Sequence, residues 1–174
     1  MKPLVTVVMP LFNAGYYVSA AIRSLLQQTL PAWRLIVVDD ASTDDGPDIV
    51  QQFRDSRIVL VRRRVNGGAS VARNMALDMA DTPYIALMDA DDISLPRRLQ
   101  RQVAYLEAHR QIGVVGTNVR VIKSNRLRRD FSVQGTRWRW IGQDDTVGIA
   151  LLFFNPLCAS SVMFRRDLLT PVSY

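Results

Sequence analysis

The chain has 174 residues, which suits one domain with a substantial core and is short for a two-domain enzyme. Its single cysteine, Cys158, excludes an internal disulfide and a metal cage built from cysteines. The N terminus shows no signal-peptide pattern, and the apolar run 149–154 is too short to span a bilayer. We therefore expect a cytoplasmic protein.

The formal net charge is +6, and much of the excess lies between Arg120 and Arg139, with Phe131 and Trp138 interleaved. A solvated basic loop is the simplest interpretation. Peripheral contact with the inner face of an anionic membrane is a sharper one, and attraction of a negatively charged substrate fits the same pattern. We expect no nucleic-acid binding, because the charge is concentrated in one segment without a recognised binding motif.

Strand-like and helix-like segments alternate along the chain, which predicts an α/β fold with a mostly parallel sheet flanked by helices. The predicted strands are 4–9, 35–38, 58–61, 84–88, 112–118 and 161–164. The predicted helices are 16–28, one that begins within 44–47, 70–80 and 96–110. Pro10 is expected to end the first strand, because proline cannot donate to a sheet ladder. Residues 119–122 are expected to extend the fifth strand, and 123–145 to form a mobile loop.

Helical spacing predicts which faces of these helices are buried. The expected inward residues are Val18, Ala21, Ile22 and Leu25 in the first helix, Ala72, Met75, Ala76 and Met79 in the third, and Leu99, Val103 and Leu106 in the last.

Polar loops follow the predicted strands. The four that carry chemistry are Pro10-Leu11-Phe12-Asn13, the loop that starts at Asp39-Asp40, Asn66-Gly67-Gly68 and Asp89-Ala90-Asp91-Asp92. Ligands of an open α/β sheet bind outside the carboxyl ends of the strands, so these loops are expected to wall one pocket. Their residue types indicate a nucleotide and a divalent metal.

Two carboxylates one residue apart, those of Asp89 and Asp91, follow the fourth predicted strand. One can bind Mg²⁺ or Mn²⁺ while the other holds a ribose hydroxyl or a metal-bound water. Capping of the following helix is an alternative of equal weight when this motif is taken alone.

The other loops offer parts of a nucleotide site. A carboxylate at Asp39 or Asp40 can accept the imide N–H of a pyrimidine such as uracil, and the surplus of caps in the same loop favours Asp40. Phe12 offers an aromatic face for a base, with a plain turn as the alternative. The glycines of 66–68 let the backbone approach a ligand, and Arg73 can meet a diphosphate or form an ordinary ion pair.

In combination, these motifs resemble the nucleotide-binding part of a family 2 glycosyltransferase of the GT-A fold, in order and over most of the chain. Val37 to Asp44 is similar to that family's uracil-binding loop, except that Ala41 stands where glycine is common. Asp89-Ala90-Asp91 falls at the D-x-D motif, and the resemblance implies that Asp91 binds the metal with Asp89 nearer the ribose. It also implies a Rossmann-like sheet.

The resemblance implies inverting, metal-dependent transfer of a sugar from a nucleotide diphosphate sugar, expected to be UDP-linked, to a hydroxyl of a carbohydrate or lipid-linked acceptor. It divides the chain into a donor part, 1–122, and the start of an acceptor part, 123–174. The family's catalytic base is an aspartate of a later motif, expected beyond Tyr174. We therefore expect a truncated domain that binds nucleotide and metal and transfers sugar poorly or not at all.

Two other functions stay open. One is a non-catalytic domain that binds a nucleotide sugar, which an acidic motif soon after Tyr174 would argue against. The other is a nucleotidyltransferase, which also uses paired aspartates and a metal, but no early glycine-rich, basic phosphate loop is present.

Overall fold

The computed structural model describes residues 1–125, 130–138 and 158–169. The strands are β1 (Val5–Leu11), β2 (Trp33–Asp39), β3 (Ile58–Arg62), β4 (Tyr84–Leu87), β5 (Val114–Val115), β6 (Val119–Asn125), β7 (Asp130–Trp138) and β8 (Met163–Arg165). The α-helices are α1 (Gly15–Leu26), α2 (Gly46–Gln52), α3 (Ala69–Asp78) and α4 (Arg98–Ala108). None of these helices is long and apolar enough to cross a membrane.

Six strands form one sheet in the order β3-β2-β1-β4-β8-β5. The first four pair in parallel, and β8 runs antiparallel between β4 and β5. The predicted α/β fold with a mostly parallel sheet is confirmed. The strand order reverses direction between β1 and β4, so the loops that follow these two strands diverge and leave a crevice, which is where ligands of such sheets bind.

The prediction that Pro10 ends the first strand is wrong, because β1 continues to Leu11 and Pro10 lies opposite Val38. The direction of the ladder explains why proline is tolerated. The amide of Met88 donates to the Val8 carbonyl, so Val8 directs its backbone polar groups toward β4. In a strand, the N–H and C=O of one residue point to the same side, and those of the residue two positions further on point there too. The missing N–H of Pro10 therefore faces past the end of β4, where no ladder bond is lost.

The prediction of a loop over 123–145 is also wrong in part. β6 and β7 pair as an antiparallel ribbon separate from the main sheet, so 119–122 belongs to this ribbon rather than to the fifth strand. The Arg120 side chain is exposed. The other basic and aromatic side chains between Arg120 and Arg139 are not among those that the structure describes.

The core has one layer on each face of the sheet. The inward residues predicted for α1 and α4 are buried on one face. α3 covers the other face through Ala72 and Ala76. Met75 and Met79, predicted to be inward, are 39% and 41% exposed. Alanines let the α3 backbone approach the sheet closely, and the larger partner is Leu77, on the side of the helix away from Met75.

Candidate functional site

The loops at the carboxyl edge of the sheet enclose a cleft of about 200 Å³. Its walls come from the ends of β1 and β2, the start of α3 and the loop after β4. The lining residues are Pro10, Leu11, Phe12, Ala14, Asp40, Ala69, Asp89, Ala90 and Asp91. The structure thus brings the predicted apolar wall and both acidic motifs to one place. The other predicted residues do not line the cleft. Asn66, Gly67 and Gly68 bond Asp40, and Arg73 bonds Asp89. Asn13 and Asp39 bond the loop at Ser42 and Thr43.

The Asp40 carboxylate is the buried polar centre of one wall, with a side chain only 2% exposed. It accepts the backbone N–H groups of Gly67, at 3.0 Å, and Gly68, at 2.6 Å, and a guanidinium N–H of Arg63. Asn66 adds a bond from its side-chain amide to the Asp40 carbonyl, at 3.2 Å. The glycine loop therefore wraps an aspartate of the chain itself, a role the sequence did not reveal.

The environment of Asp40 favours its charged form. Burial acts to raise the pKa of this carboxyl, but the bonds from Gly67 and Gly68 and the Arg63 guanidinium outweigh it, so the pKa lies below 3.8. A Cβ atom at Gly67 would lie 2.7 Å from Nη1 of Arg63, so the guanidinium that bonds Asp40 would have to shift. Gly68 has φ +87°, in the region that favours glycine.

The loops after β1 and β2 are fastened to each other. The side-chain oxygen Oδ1 of Asn13 accepts the backbone N–H of Thr43 at 2.9 Å. The backbone N–H of Asn13 donates to the Ser42 hydroxyl at 3.1 Å. Oδ1 of Asp39 accepts the Ser42 amide at 3.0 Å. Ala41 has φ +62°, a left-handed conformation in which glycine is unstrained. The backbone there explains why glycine is common at this position in the family that the sequence resembles.

The Asp44 carboxylate ties the starts of two helices together. It accepts the Gly15 amide at 2.7 Å and the Gly46 amide at 3.0 Å. These are the first residues of α1 and α2, whose amides have no partner within their own helices. The wall carrying Asp40 and the apolar wall carrying Phe12 are thereby held in a fixed relation.

The second acidic motif lies on the opposite side of the cleft. Asp89 is half-buried and pairs with Arg73, whose Nη2 lies 3.0 Å from Oδ1 of Asp89, while Asp91 is exposed. The capping alternative finds no support, because α4 begins only at Arg98 and no side chain caps its start. Nε of Arg73 is buried and has no hydrogen-bond partner among the described residues.

The donor set around Asp91 fits a hard divalent cation. Mg²⁺ and Mn²⁺ favour oxygen ligands, and Mg²⁺ is usually held by one or two carboxylates together with phosphate oxygens and water. Within the described ranges, no three Asp, Glu, His or Cys side chains converge into a complete metal cage. Asp91 and Asp89 can thus supply only part of a coordination sphere.

Sequence reasoning missed two polar residues beneath this loop. The Ser160 hydroxyl accepts the Asp89 amide at 2.9 Å and also bonds the Asp92 carboxyl. Burial raises the pKa of that carboxyl, the charges of Asp91 and Asp89 add to the rise, and Ser160 and Arg98 oppose it. Arg98 is 8% exposed. Its spacing of four residues from Gln102 and eight from Leu106 was the available signal that it faces inward.

Comparison with known proteins connects this site to a family. The model of glycosyl transferase family 2 matches residues 6–170. A curated relative is UDP-Glc:alpha-D-GlcNAc-diphosphoundecaprenol beta-1,3-glucosyltransferase WfgD of Escherichia coli, which is 38% identical over 128 residues, or 74% of this chain and 50% of WfgD. The chain spans about half the length of the curated relatives it matches, from 42% to 57% for three of them.

Solved structures show the same fold. S. aureus TarS 1-349 in complex with UDP-GlcNAc superposes with a TM-score of 0.61 at 30% identity, over 66% of this chain and 33% of that one. The mannosyltransferase PcManGT from Pyrobaculum calidifontis, in complex with GDP-Man and Mn²⁺, gives 0.69 at 23% identity over 97% and 46%. The latter likeness concerns the fold alone, which is that of the GT-A glycosyltransferases.

Proposed function

Since the chain belongs to glycosyl transferase family 2, we propose that its cleft binds a UDP-linked sugar together with a divalent cation, for inverting transfer of the sugar to an acceptor hydroxyl. The observation that carries the proposal is the arrangement of the cleft. One cleft combines an apolar wall that carries the half-exposed Phe12 with the buried Asp40 and the exposed Asp91. Such a cleft offers a surface for a base at one end and charge for a metal-bound diphosphate at the other.

The nucleotide end is proposed to use Phe12, Asp39 and Asp40. A carboxylate has about four lone-pair positions, and three N–H groups bond that of Asp40, the Gly67 N–H reaching both oxygens. A further donor, such as the imide N–H of uracil, would take the lone pair that this shared bond releases. The Asn66-Gly67-Gly68 loop then supports the site by holding Asp40, while Pro10, Leu11 and Ala90 supply apolar contact.

The diphosphate end is proposed to use Asp91 and Asp89 as ligands of Mn²⁺ or Mg²⁺. A bound divalent cation supplies positive charge that neutralises a departing diphosphate. Arg73 is placed to assist, because its guanidinium already lies against Asp89 and its Nε has no bond in the described part of the chain. A bound diphosphate would give that nitrogen an acceptor.

The acceptor is proposed to be a lipid-linked saccharide. The support is the activity stated in the name of WfgD, transfer of glucose to a diphosphoundecaprenol-linked sugar. The basic residues between Arg120 and Arg139 would favour peripheral contact with the anionic surface that carries such a lipid.

The test is calorimetric titration of UDP into the chain with Mn²⁺ and, separately, with EDTA. We expect binding that needs the metal and that falls at least tenfold in Asp91→Asn. Asp81→Asn is the matched control, because Asp81 is an exposed aspartate at the opposite edge of the sheet, paired with Arg34. A parallel titration with GDP tests the base, and equal affinity for GDP would refute the choice of uracil. Equal binding of UDP in Mn²⁺ and in EDTA would refute the metal site.

A further inference from the structure

Arg98 is a buried cation that the proposed donor site does not use. It is the first residue of α4 and is 8% exposed. Among the described residues, no carboxylate lies within 4 Å of its guanidinium nitrogens, whereas five other arginines have such a partner. Burial lowers the pKa of Arg98 to about 10, so the side chain stays charged at neutral pH. Asp92 attracts this charge from beyond ion-pair contact, and a buried cation without a close counter-ion is costly, which calls for a reason.

The guanidinium donates to the backbone at the point where two strands meet. Its Nη2 lies 2.9 Å from the carbonyl of Leu87 and 3.2 Å from that of Val162, and its Nε bonds Oε1 of Gln102 at 3.1 Å. Leu87 is the last residue of β4, two positions before Asp89. Arg98 therefore joins the start of α4 to the end of β4 and to the residue that precedes β8.

The neighbouring bonds run to the same two segments. Gln102 donates to the carbonyl of Ser161 at 2.8 Å, and the Ser160 hydroxyl accepts the Asp89 amide at 2.9 Å. The three consecutive residues 160–162 thus each accept a bond from the loop after β4 or from α4. This network fixes the position of the backbone where β4 ends and the Asp89–Asp92 loop begins.

Charge points to the same role. The loop from Asp89 to Asp92 carries three carboxyls within four residues, and like charges that are close repel one another. Arg73 offsets Asp89 from the α3 side. Arg98 places a second positive charge at the same loop, buried where its guanidinium bonds the Leu87 carbonyl.

We propose that Arg98 is a positioning residue that sets the place of the Asp89–Asp92 loop, and hence the geometry in which Asp89 and Asp91 meet a divalent cation and a diphosphate. Arg98 does not touch the donor but acts through the backbone of β4 and through the charge it holds under the loop. The expected effect of Arg98 on metal-dependent UDP binding rests on the proposed function. Its expected effect on the order of the Asp89–Asp92 loop rests on the hydrogen bonds alone.

The test uses Arg98→Met, which removes the charge and the donors, and Arg98→Lys, which keeps the charge but loses the forked donor geometry. Arg165→Met is the matched control. Arg165 also donates to carbonyls, those of Ile112 at 3.1 Å and Leu106 at 2.5 Å, but it lies at the opposite end of α4. The control therefore loses a similar link between α4 and β8 without touching the acidic loop.

Two measurements are made on the whole chain. The first is hydrogen exchange of the Asp89 amide by NMR without ligand, because this amide is held by Ser160. The second is the ratio of UDP affinities in Mn²⁺ and in EDTA. In Arg98→Met we expect exchange at least tenfold faster and a ratio at least tenfold lower, with Arg98→Lys intermediate. Arg165→Met should lower the melting temperature and leave both readouts unchanged.

A folded Arg98→Met with native exchange and a native affinity ratio would overturn the proposal. If Arg98→Met does not fold, Arg98→Lys decides by the same two readouts, and native values in both would overturn it equally. If the native chain itself shows no metal-dependent binding of UDP, the proposed function fails, and the exchange of the Asp89 amide still decides whether Arg98 sets the loop.

Discussion

Replacing Ala41 by glycine should stabilise the protein. Ala41 has φ +62°, and for an L-residue the left-handed conformation costs about 1–2 kcal/mol because Cβ crowds the following carbonyl oxygen. Glycine removes that cost. It also gives the unfolded chain more freedom, which costs about 0.4–1 kcal/mol. The net effect on the free energy of unfolding should be a gain of about 0.5–1 kcal/mol, obtained without adding a single contact.

The assay is urea denaturation at neutral pH, followed by a thermal melt. For a domain of this size the gain corresponds to a rise in the melting temperature of about 1–4 °C. The matched control is Ala104→Gly, in the exposed middle of α4, where the same change should lower the free energy of unfolding by about 1 kcal/mol. If Ala41→Gly is no more stable than the native chain while the control loses stability as stated, the argument from backbone strain is refuted.

Three further changes test the walls of the cleft and the core. Asp40→Asn should lower the free energy of unfolding by about 3 kcal/mol at neutral pH, because it leaves Arg63 partly buried without its carboxylate. The pKa of folded Asp40 lies below 3.8, so its stabilisation is present above pH 3.8 and is lost as the pH falls through the folded value; urea titrations should show the two chains converging only below pH 3.8. Gly67→Ala should cost about 0.5–1.5 kcal/mol, because the Arg63 guanidinium must shift and its bond to Asp40 weakens, and a native melting temperature would contradict this packing. Thr82→Val should cost about 1–2 kcal/mol, because the buried hydroxyl of Thr6 loses its acceptor at 2.7 Å, and Thr82→Ser should restore the native denaturation midpoint.

The sequence predicted the sheet and its helices because their signals are local. Apolar runs and helical spacing marked β1 to β4 and the buried faces of α1 and α4, and these elements are found. Tolerance of Pro10 inside β1 could not be predicted, since it depends on where β4 ends. The pairing of β6 with β7 depends on contacts between distant residues, which single-residue propensities do not record.

The position of the cleft was predictable, but the bonding inside it was not. Polar loops after parallel strands must share one edge of the sheet, so the convergence of Phe12, Asp40 and Asp91 follows from the order of elements. Nothing in the sequence indicates that Gly67 and Gly68 donate to Asp40, because the turn conformation and the burial of Asp40 decide it together. Arg98 was overlooked because a charged residue beside an apolar stripe is usually solvated.

The structure also separates two acidic motifs that look alike in the sequence. The charge of Asp40 is matched within the chain by Arg63 and two backbone amides, and that of Asp89 by Arg73. Asp91 is exposed and has no ion-pair partner within 4 Å in the part of the chain that the structure describes. A divalent cation binds most favourably to a carboxylate that has no positive partner, because a carboxylate already in an ion pair must first give up that partner. The charge of Asp91 is thus the one most open to an incoming cation, while that of Asp89 is shared with Arg73 and that of Asp40 holds the wall beside it.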